Sequence, residues 1–365
     1  MTGNAMRIVR TLDEHAWRKF VADQQLGNVF HTPEMFRMFG RVPGFVPSLW
    51  AAVSDDGRIL ALLLPVRITL LGSVLRRLST RSVVFGGILA DDSPEGRKAL
   101  DLLLSSYVRE PDGAPLFTEL RNLSNTDSFR GILQDNGFMH EEHLNFLINL
   151  ECSPDALLQS IGPRTRKVIR RGLRAARVVV KEATNLRDVA ACYDILTRTY
   201  EAAHVPLAPF PLFQAAHDLL LPSGMVRFSL ARIDGRAVAT SVDLLYKKTV
   251  YGWYGGVVRS YNEHAPNELL TWDVLQWGAM NGYGVYDFGG AGKPDETYGV
   301  RDFKAKFGGK LVNFGRSTCV HAPGLLRLSR LGYQLMRKYL SRADLTGIRH
   351  SPATYSPSPL ADNSP

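Results

Sequence analysis

The sequence predicts an α/β (α+β) protein built from two tandem copies of one unit, each with a mixed, mainly antiparallel sheet. Three observations predict it. The chain has 365 residues, more than one ordinary domain and close to two of about 150 residues each. Apolar residues make up 45% and charged residues 22%, the balance of folded globular units and not of a disordered chain. The order strand, two helices, three antiparallel strands, helix, strand, helix, strand is read twice, although the halves share no residue-level identity at fixed spacing. The divisions expected are 1–155, 156–345 and a disordered tail, 346–365, rich in Pro and Ser.

In the first half, hydrophobic period predicts a strand from Met6, helices over 13–24 and 32–40, and strand-like runs over 46–53, 58–68 and 81–89. Helices at 94–109 and 128–136 alternate with strands at 115–120 and 143–150. A connecting stretch spans 154–163. The second half continues with a strand at 177–182, helices at 186–203 and 211–221, and strands at 225–233, 237–246 and 249–257. The Asp234-Gly235 pair between the first two of these is a strong hairpin turn. A helix over 267–281 leads into a short strand ending at Asp287, and an Arg-rich helix over 325–342 closes the unit.

The chain carries 44 basic and 35 acidic residues, a formal charge of +9, which favours nucleic acid, anionic lipid or phosphorylated metabolites as partners. Apolar runs such as 59–66 are far shorter than the ~20 residues of a bilayer span, and no signal-peptide core opens the chain, so a cytoplasmic location is expected. Cys152, Cys192 and Cys319 show no CxxC spacing and fit neither a disulfide framework nor a zinc knuckle.

Residues 284–310, GVYDFGGAGKPDETYGVRDFKAKFGGK, form the most informative stretch. An apolar strand ends in Asp287. Gly289, Gly290 and Gly292 permit unusual backbone conformations and close approach. Phe303 and Phe307, at i,i+4, should anchor a short helix and leave Lys304 and Lys306 to project elsewhere, which suits an anionic substrate. The GGAGKP run is no phosphate loop of a nucleoside triphosphatase, because Asp287 stands six residues before Lys293 and Pro294 follows it.

Between Pro163 and Lys181 stand Arg164, Arg166, Lys167, Arg170, Arg171, Arg174, Arg177 and Lys181, with no acidic residue among them. Pro163 suits a first helical turn, and Val168, Ile169, Leu173 and Ala176 form an apolar stripe, so the cations cover the remaining arc. Such a ridge is either a solvated face or a track for RNA phosphates, for which Arg166, Arg170, Arg171, Arg174 and Arg177 are the candidates. The C-terminal helix adds Arg327, Arg330, Arg337, Lys338 and Arg342, a basic face suited to RNA or to peripheral contact with anionic lipid. His140 and His143 lack HExxH spacing and sit i,i+3 in a strand, facing opposite sides, so no metal site is expected. No GxSxG elbow occurs.

The element order resembles the GNAT (acyl-CoA N-acyltransferase-like) fold. Single-domain members carry an Arg/Gln-x-x-Gly-x-Gly/Ala loop whose amides hold the coenzyme A pyrophosphate at a helix N-terminus. Here 259–266 reads RSYNEHAP, which offers no such cradle.

RTRKVIRRGLRAARVVV, TRTYEAAHVPLAPFPLFQ, YGGVVRSYNEHAPNELLTWDVLQWGAMNGYGVYDFGG and FKAKFGG, in that order and spacing, resemble the FemABX aminoacyltransferases, twin-domain proteins that build peptidoglycan cross-bridges. The likeness covers about half the chain, and the N-terminal half matches by element order alone. The resemblance implies aminoacyl-tRNA as donor, no separate cofactor, and an acceptor amine that attacks the ester carbonyl. It makes Lys304 the first catalytic candidate, placed to neutralise donor phosphate or a developing oxyanion, with Lys306 and Arg301 behind it. Asp287 is either an orienting or deprotonating group for the ammonium or a cap of the glycine loop. Trp253, Tyr254, Gly289, Gly290 and Phe303 complete the expected substrate wall, the two aromatics being equally readable as core.

Two departures bear on the acceptor. HTPEMFRMFG ends without the lysine of members that use nucleotide-linked muropeptides, and HVPLAPFPLF lacks the arginine expected between the helices of the second domain. The expected reaction is amide formation on an amine of a cell-wall precursor or specialised metabolite. The competing expectations are an acyl-CoA-dependent N-acyltransferase and a non-catalytic binder of RNA or acidic glycan.

Overall fold

Local capping sets the first helices. Asp13, Thr32 and Ser93 each accept a hydrogen bond from the backbone N–H three residues on, and Pro33 and Pro94 occupy first-turn positions, where a proline lacks no needed donor. The computed structural model describes residues 6–69, 72 and 75–332. The expected tail and the later arginines of the C-terminal helix lie outside the described residues; residues 323–332 are helical.

The first half contains β1 (Met6–Val9), α1 (Glu14–Asp23), α2 (Pro33–Gly40), β2 (Phe45–Pro47), β3 (Trp50–Ser54), β4 (Ile59–Leu63), β5 (Val66–Thr69), α3 (Arg76–Ser79), β6 (Thr80–Gly86), β7 (Leu89–Ala90), α4 (Pro94–Arg109), β8 (Phe117–Asn122), α5 (Arg130–Asp135), β9 (Met139–Glu141) and β10 (Leu144–Asn149). The second contains α6 (Pro154–Ser160), α7 (Pro163–Ala175), β11 (Val179–Glu182), α8 (Leu186–Ala202), α9 (Phe210–Leu219), β12 (Val226–Ile233), β13 (Arg236–Tyr246), β14 (Thr249–Val257), α10 (Pro266–Met280), β15 (Val285–Gly290), α11 (Gly299–Ala305), β16 (Lys310–Asn313) and β17 (Arg316–Val320).

The runs expected as single strands over 46–53 and 58–68 are each two strands. Three neighbouring strands turn a corner together at 48–49, 64–65 and 87–88, so β3, β4 and β7 continue one sheet while β2, β5 and β6 continue another. Pro65 cannot donate to a ladder, but its carbonyl accepts from the Ser48 N–H at 2.8 Å and pins the corner. The stretch expected to connect the halves holds a helix, α6, capped by Ser153.

Strand membership crosses the boundary expected near residue 155. The strand β10 leaves the first half and inserts between β15 and β16 in the sheet β11-β12-β13-β14-β15-β10-β16, while β17 returns to lie between β8 and β9. Local period identifies such strands but carries no information on their partners. Among the described residues only β6–β8 and β14–β15 pair in parallel. One core runs between the halves: Phe30, Met35 and Phe39 pack with Leu212, Phe213 and Phe228.

Candidate active site

The strands β14 and β15 pair over only three positions, ending at Tyr251 opposite Asp287. Beyond that, β14 stays with β13 and β15 stays with β10, so the two part and leave a wedge in the sheet. A bulge forces the divergence: Val242 lies opposite Tyr254 and Asp243 opposite Gly252, so Trp253 is the extra residue. The equivalent strands of the first half, β6 and β8, stay paired over five positions through Gly86 and Asn122. The open wedge therefore belongs to the second half.

Asp287 sits at the floor of this wedge, 3% exposed. It accepts from the Gly289 N–H at 2.7 Å and from the Asn145 amide at 3.1 and 3.3 Å. Burial raises its pKa to about 6, against the pull of those donors and of Lys304. Gly289 has φ 69°. A Cβ there would stand 3.0 Å from the Gly252 carbonyl and 3.3 Å from the Tyr251 hydroxyl, so glycine permits both the turn and the close approach.

Lys304 does not project as expected. It is 9% exposed, and its ammonium donates to the carbonyls of Phe288, Gly289 and Gly290 at 2.6, 3.2 and 2.7 Å. The reason lies in α11: with Phe307 fully buried against Phe288, the short helix lies on the end of β15, and Lys304 is drawn in by converging carbonyls. Burial lowers its pKa to about 8, with Asp287 opposing. The result is a buried cation fixed at the wedge, its charge only partly balanced by Asp287.

The remaining predicted residues divide. Lys306 is exposed, its ammonium 5.7 Å from the ring centre of Phe303. Arg301 is occupied by its own loop, donating to the carbonyls of Ala291 at 2.8 Å, Pro294 at 3.2 Å and Lys293. Trp253 and Tyr254 pack on Phe213, with ring centres 6.3 and 4.9 Å away, so both are wall and core at once. Gly290 lies under His143: a Cβ there would stand 2.7 Å from Nε2.

The facing wall belongs to the first half, and sequence reasoning missed it. Phe30 packs edge-on to Tyr251 at 5.6 Å and stacks on Phe85 at 5.7 Å, and the Arg121 guanidinium lies 5.4 Å over Phe85. Arg121 and Arg316 are register partners on β8 and β17. Arg316 donates to His143 Nε2 at 2.9 Å, which requires that nitrogen to be unprotonated. Burial and the Arg316 charge accordingly lower the His143 pKa to about 3. The local sequence signal is Glu119 and Arg121 alternating in one strand, FTELRN; the partner Arg316 is 195 positions away (316 − 121).

Helix α7 starts at this site. The Gly162 N–H donates to the Lys306 carbonyl at 3.2 Å. Its buried face differs from the expected stripe: Thr165 and Ile169 are buried, whereas Leu173 is 52% exposed and Ala176 closes the helix at φ 51°. Gly172 explains the shift, because a Cβ there would stand 2.7 Å from a Leu269 methyl, so its absence lets α10 approach. Arg170, Arg171 and Arg174 are exposed. Arg166 turns back to the Gln159 carbonyl at 2.6 Å, and Arg177 lies 3.6 Å from Asp234. The far end of α7, with Arg171, and Arg177 just beyond it form a recess with Glu263 and His264. There, in place of a glycine loop, 259–264 forms a 3₁₀ turn whose following residue, Ala265, turns its N–H to Asn262, and Pro266 removes a donor from the start of α10.

Residues 163–304 match an acetyltransferase (GNAT) domain. The described chain has a twin-GNAT fold like that of FemX, whose crystal structure superposes with a TM-score of 0.70 at 15% identity, covering 88% of this chain and 99% of FemX. L-PGS from Bacillus licheniformis gives 0.54 at 13% identity over 87% and 96% of the two chains. A tandem GNAT protein from the clavulanic acid biosynthesis pathway gives 0.56 at 11% over 87% and 99%. Among curated proteins no sequence matches. The domain and the fold together support an N-acyltransferase. No described helix is long and apolar enough to cross a membrane.

Proposed function

We propose that the protein transfers an aminoacyl group from aminoacyl-tRNA to the amine of a second substrate bound between the halves. The observation that carries this reading is the continuity of three features: the open β14/β15 wedge, the buried Lys304 ammonium at its edge, and the basic helix α7 that runs from Lys306 to the turn replacing a pyrophosphate loop. A donor whose reactive ester enters the wedge lays its phosphates along α7, where Arg170, Arg171 and Arg174 stand free to meet them.

In the reaction the amine nitrogen attacks the ester carbonyl, an amide C–N bond forms and the C–O bond to the ribose breaks. The amine loses a proton and the departing ribose oxygen gains one. Lys304 supplies fixed positive charge beside the carbonyl oxygen as it becomes an oxyanion; in a water-poor wedge such charge is worth more than in bulk solvent. Asp287 holds the turn that presents the β15 carbonyls and balances Lys304. The fit to FemX supports this chemistry, since that protein shares the fold across both halves.

Acyl-CoA as donor is the second reading, favoured by the GNAT domain match at 163–304. One experiment separates them: the protein is incubated with charged tRNAs and candidate amines, with and without ribonuclease, and in parallel with acyl-CoA and a thiol reagent. Amide product that disappears on ribonuclease treatment is the result expected. Product formed equally well after ribonuclease, or release of thiol, overturns the tRNA reading.

A further inference from the structure

Three arginines gather on adjacent strands of the first half's sheet, into which β17 inserts. Arg81 on β6, Arg121 on β8 and Arg316 on β17 interact electrostatically with one another and with Glu119, and Arg316 also with Glu141, its register partner on β9. Burial acts to raise the Glu119 pKa, but Arg121 and Arg316 win and bring it to about 2, so Glu119 is ionised. His143 is neutral. Glu141 is already engaged by Lys293 at 3.1 Å, so Glu119 is the carboxylate that Arg121 and Arg316 have in common, while Asp287 only partly balances Lys304 alongside.

Two of the arginines reach solvent. The side chains of Arg121 and Arg316 are 28% and 22% exposed, whereas Glu119 is 10% exposed. Arg121 gives its Nε to Glu119, and its two terminal nitrogens have no hydrogen-bond partner among the described residues. Arg316 reaches the same Glu119 oxygen at only 3.5 Å. Half-buried guanidiniums with spare donors, that of Arg121 lying over the Phe85 ring, suit a planar or tetrahedral oxyanion. Their distance from the chemistry is short: Arg316 bonds His143, His143 overlies Gly290, and Gly290 accepts from Lys304.

We propose that Arg121 and Arg316 form the seat for an anionic group, carboxylate or phosphate, carried by the amine acceptor, so that the second substrate is an acidic amine. This rests on the acceptor binding between the halves, as in the reaction above. It assigns specificity to residues of the first half and of the last strand, outside the matched GNAT domain.

The test uses the full chain without any donor, so its failure is separate from failure of the tRNA reading, which only the transfer assay detects. Arginine Nε–H signals are followed by NMR while inorganic phosphate or, separately, acetate is added at constant ionic strength. The result expected is a saturable shift with at least one anion, the tighter of the two naming the acidic group. Arg121→Gln and Arg316→Gln should raise the midpoint at least tenfold, and Arg58→Gln, at an exposed arginine just before β4 that pairs with Asp56, should leave it unchanged. Glu119→Gln removes the competing carboxylate and should lower the midpoint at least threefold, a gain that loss of folding cannot imitate. No saturation by either anion, midpoints unmoved in all three cluster variants, or an effect confined to Arg58→Gln would overturn the proposal.

Discussion

Lys304 donates to the Gly290 carbonyl at 2.7 Å, which ties α11 to the last residue of β15 and fixes a buried positive charge where two strands part. Replacing it with methionine keeps the stem and removes the charge. Lys304→Met should cut the transfer rate by roughly 100-fold or more, the scale of losing one preorganised oxyanion stabiliser. A steady-state assay that finds less than a threefold loss removes Lys304 from the mechanism.

The same lysine sets a pH dependence with opposite signs for rate and stability. Its pKa is about 8 when folded and 10.5 when free, so activity that needs the cation should fall as pH rises through about 8. Between these values the unfolded chain binds more protons, so stability gained from this group increases with pH. Denaturant melts at pH 7.5 and 10 should show wild type gaining relative to Lys304→Met, by up to a few kcal/mol. A parallel pair of curves contradicts the assignment.

Asp287 is a positioning residue in this scheme, because its oxygens already accept from Gly289 and Asn145. Its pKa is raised from 3.8 to about 6, so its ionisation costs stability as pH rises across that interval, and Asp287→Asn should abolish that slope. The variant should keep activity within about tenfold, a modest loss for a group that does not move the proton. Its diagnostic is the alkaline limb of the rate profile, which should shift to lower pH because Lys304 loses its counter-charge. An unmoved limb means that Asp287 does not act through Lys304.

Gly289→Ala should destabilise the fold by about 1–2 kcal/mol, since an alanine at positive φ is strained and its Cβ presses on the Gly252 carbonyl. The activity loss should exceed what the stability loss explains, because the pressed atom lies on the opposite wall of the wedge. Thermal melts and kinetics on one preparation decide this.

The exposed arginines of α7 should matter only to the donor. Arg170→Gln with Arg174→Gln should weaken tRNA binding at low salt and reduce the slope of log affinity against log salt by about one for each phosphate left without its arginine. Melting temperature should stay within a degree or two, as both side chains are exposed. Fluorescence anisotropy across a salt series is the check, and an unchanged slope rules out α7 as the phosphate track.

What the sequence conveyed follows from what is local. The hairpin strands β12, β13 and β14 and helix α10 lie within a residue or two of expectation because turn residues and periodicity mark them directly. Of the YDFGG glycines, Gly289 occupies a turn at positive φ, and Gly290 makes room for His143. The position of Lys304 is legible in the sequence but its posture is not, since its burial depends on three carbonyls of another element. The α7 stripe differs from expectation because Gly172, a weak apolar signal, makes the closest approach to α10. Arg121, Arg316 and His143 stay hidden: each is ordinary alone, and only strand pairing joins them.

The exchange of β10 and β17 also governs how this protein is made. A ribosome releases the first half long before residue 316, and until then the slot between β8 and β9 stands empty, with both flanking ladders unpaired. Neither half can be finished and set aside while the other is synthesised, so the last strand acts as a closing stitch. Nascent chains halted before residue 316 should accordingly remain protease-sensitive across β8 and β9, and become resistant only once β17 has emerged.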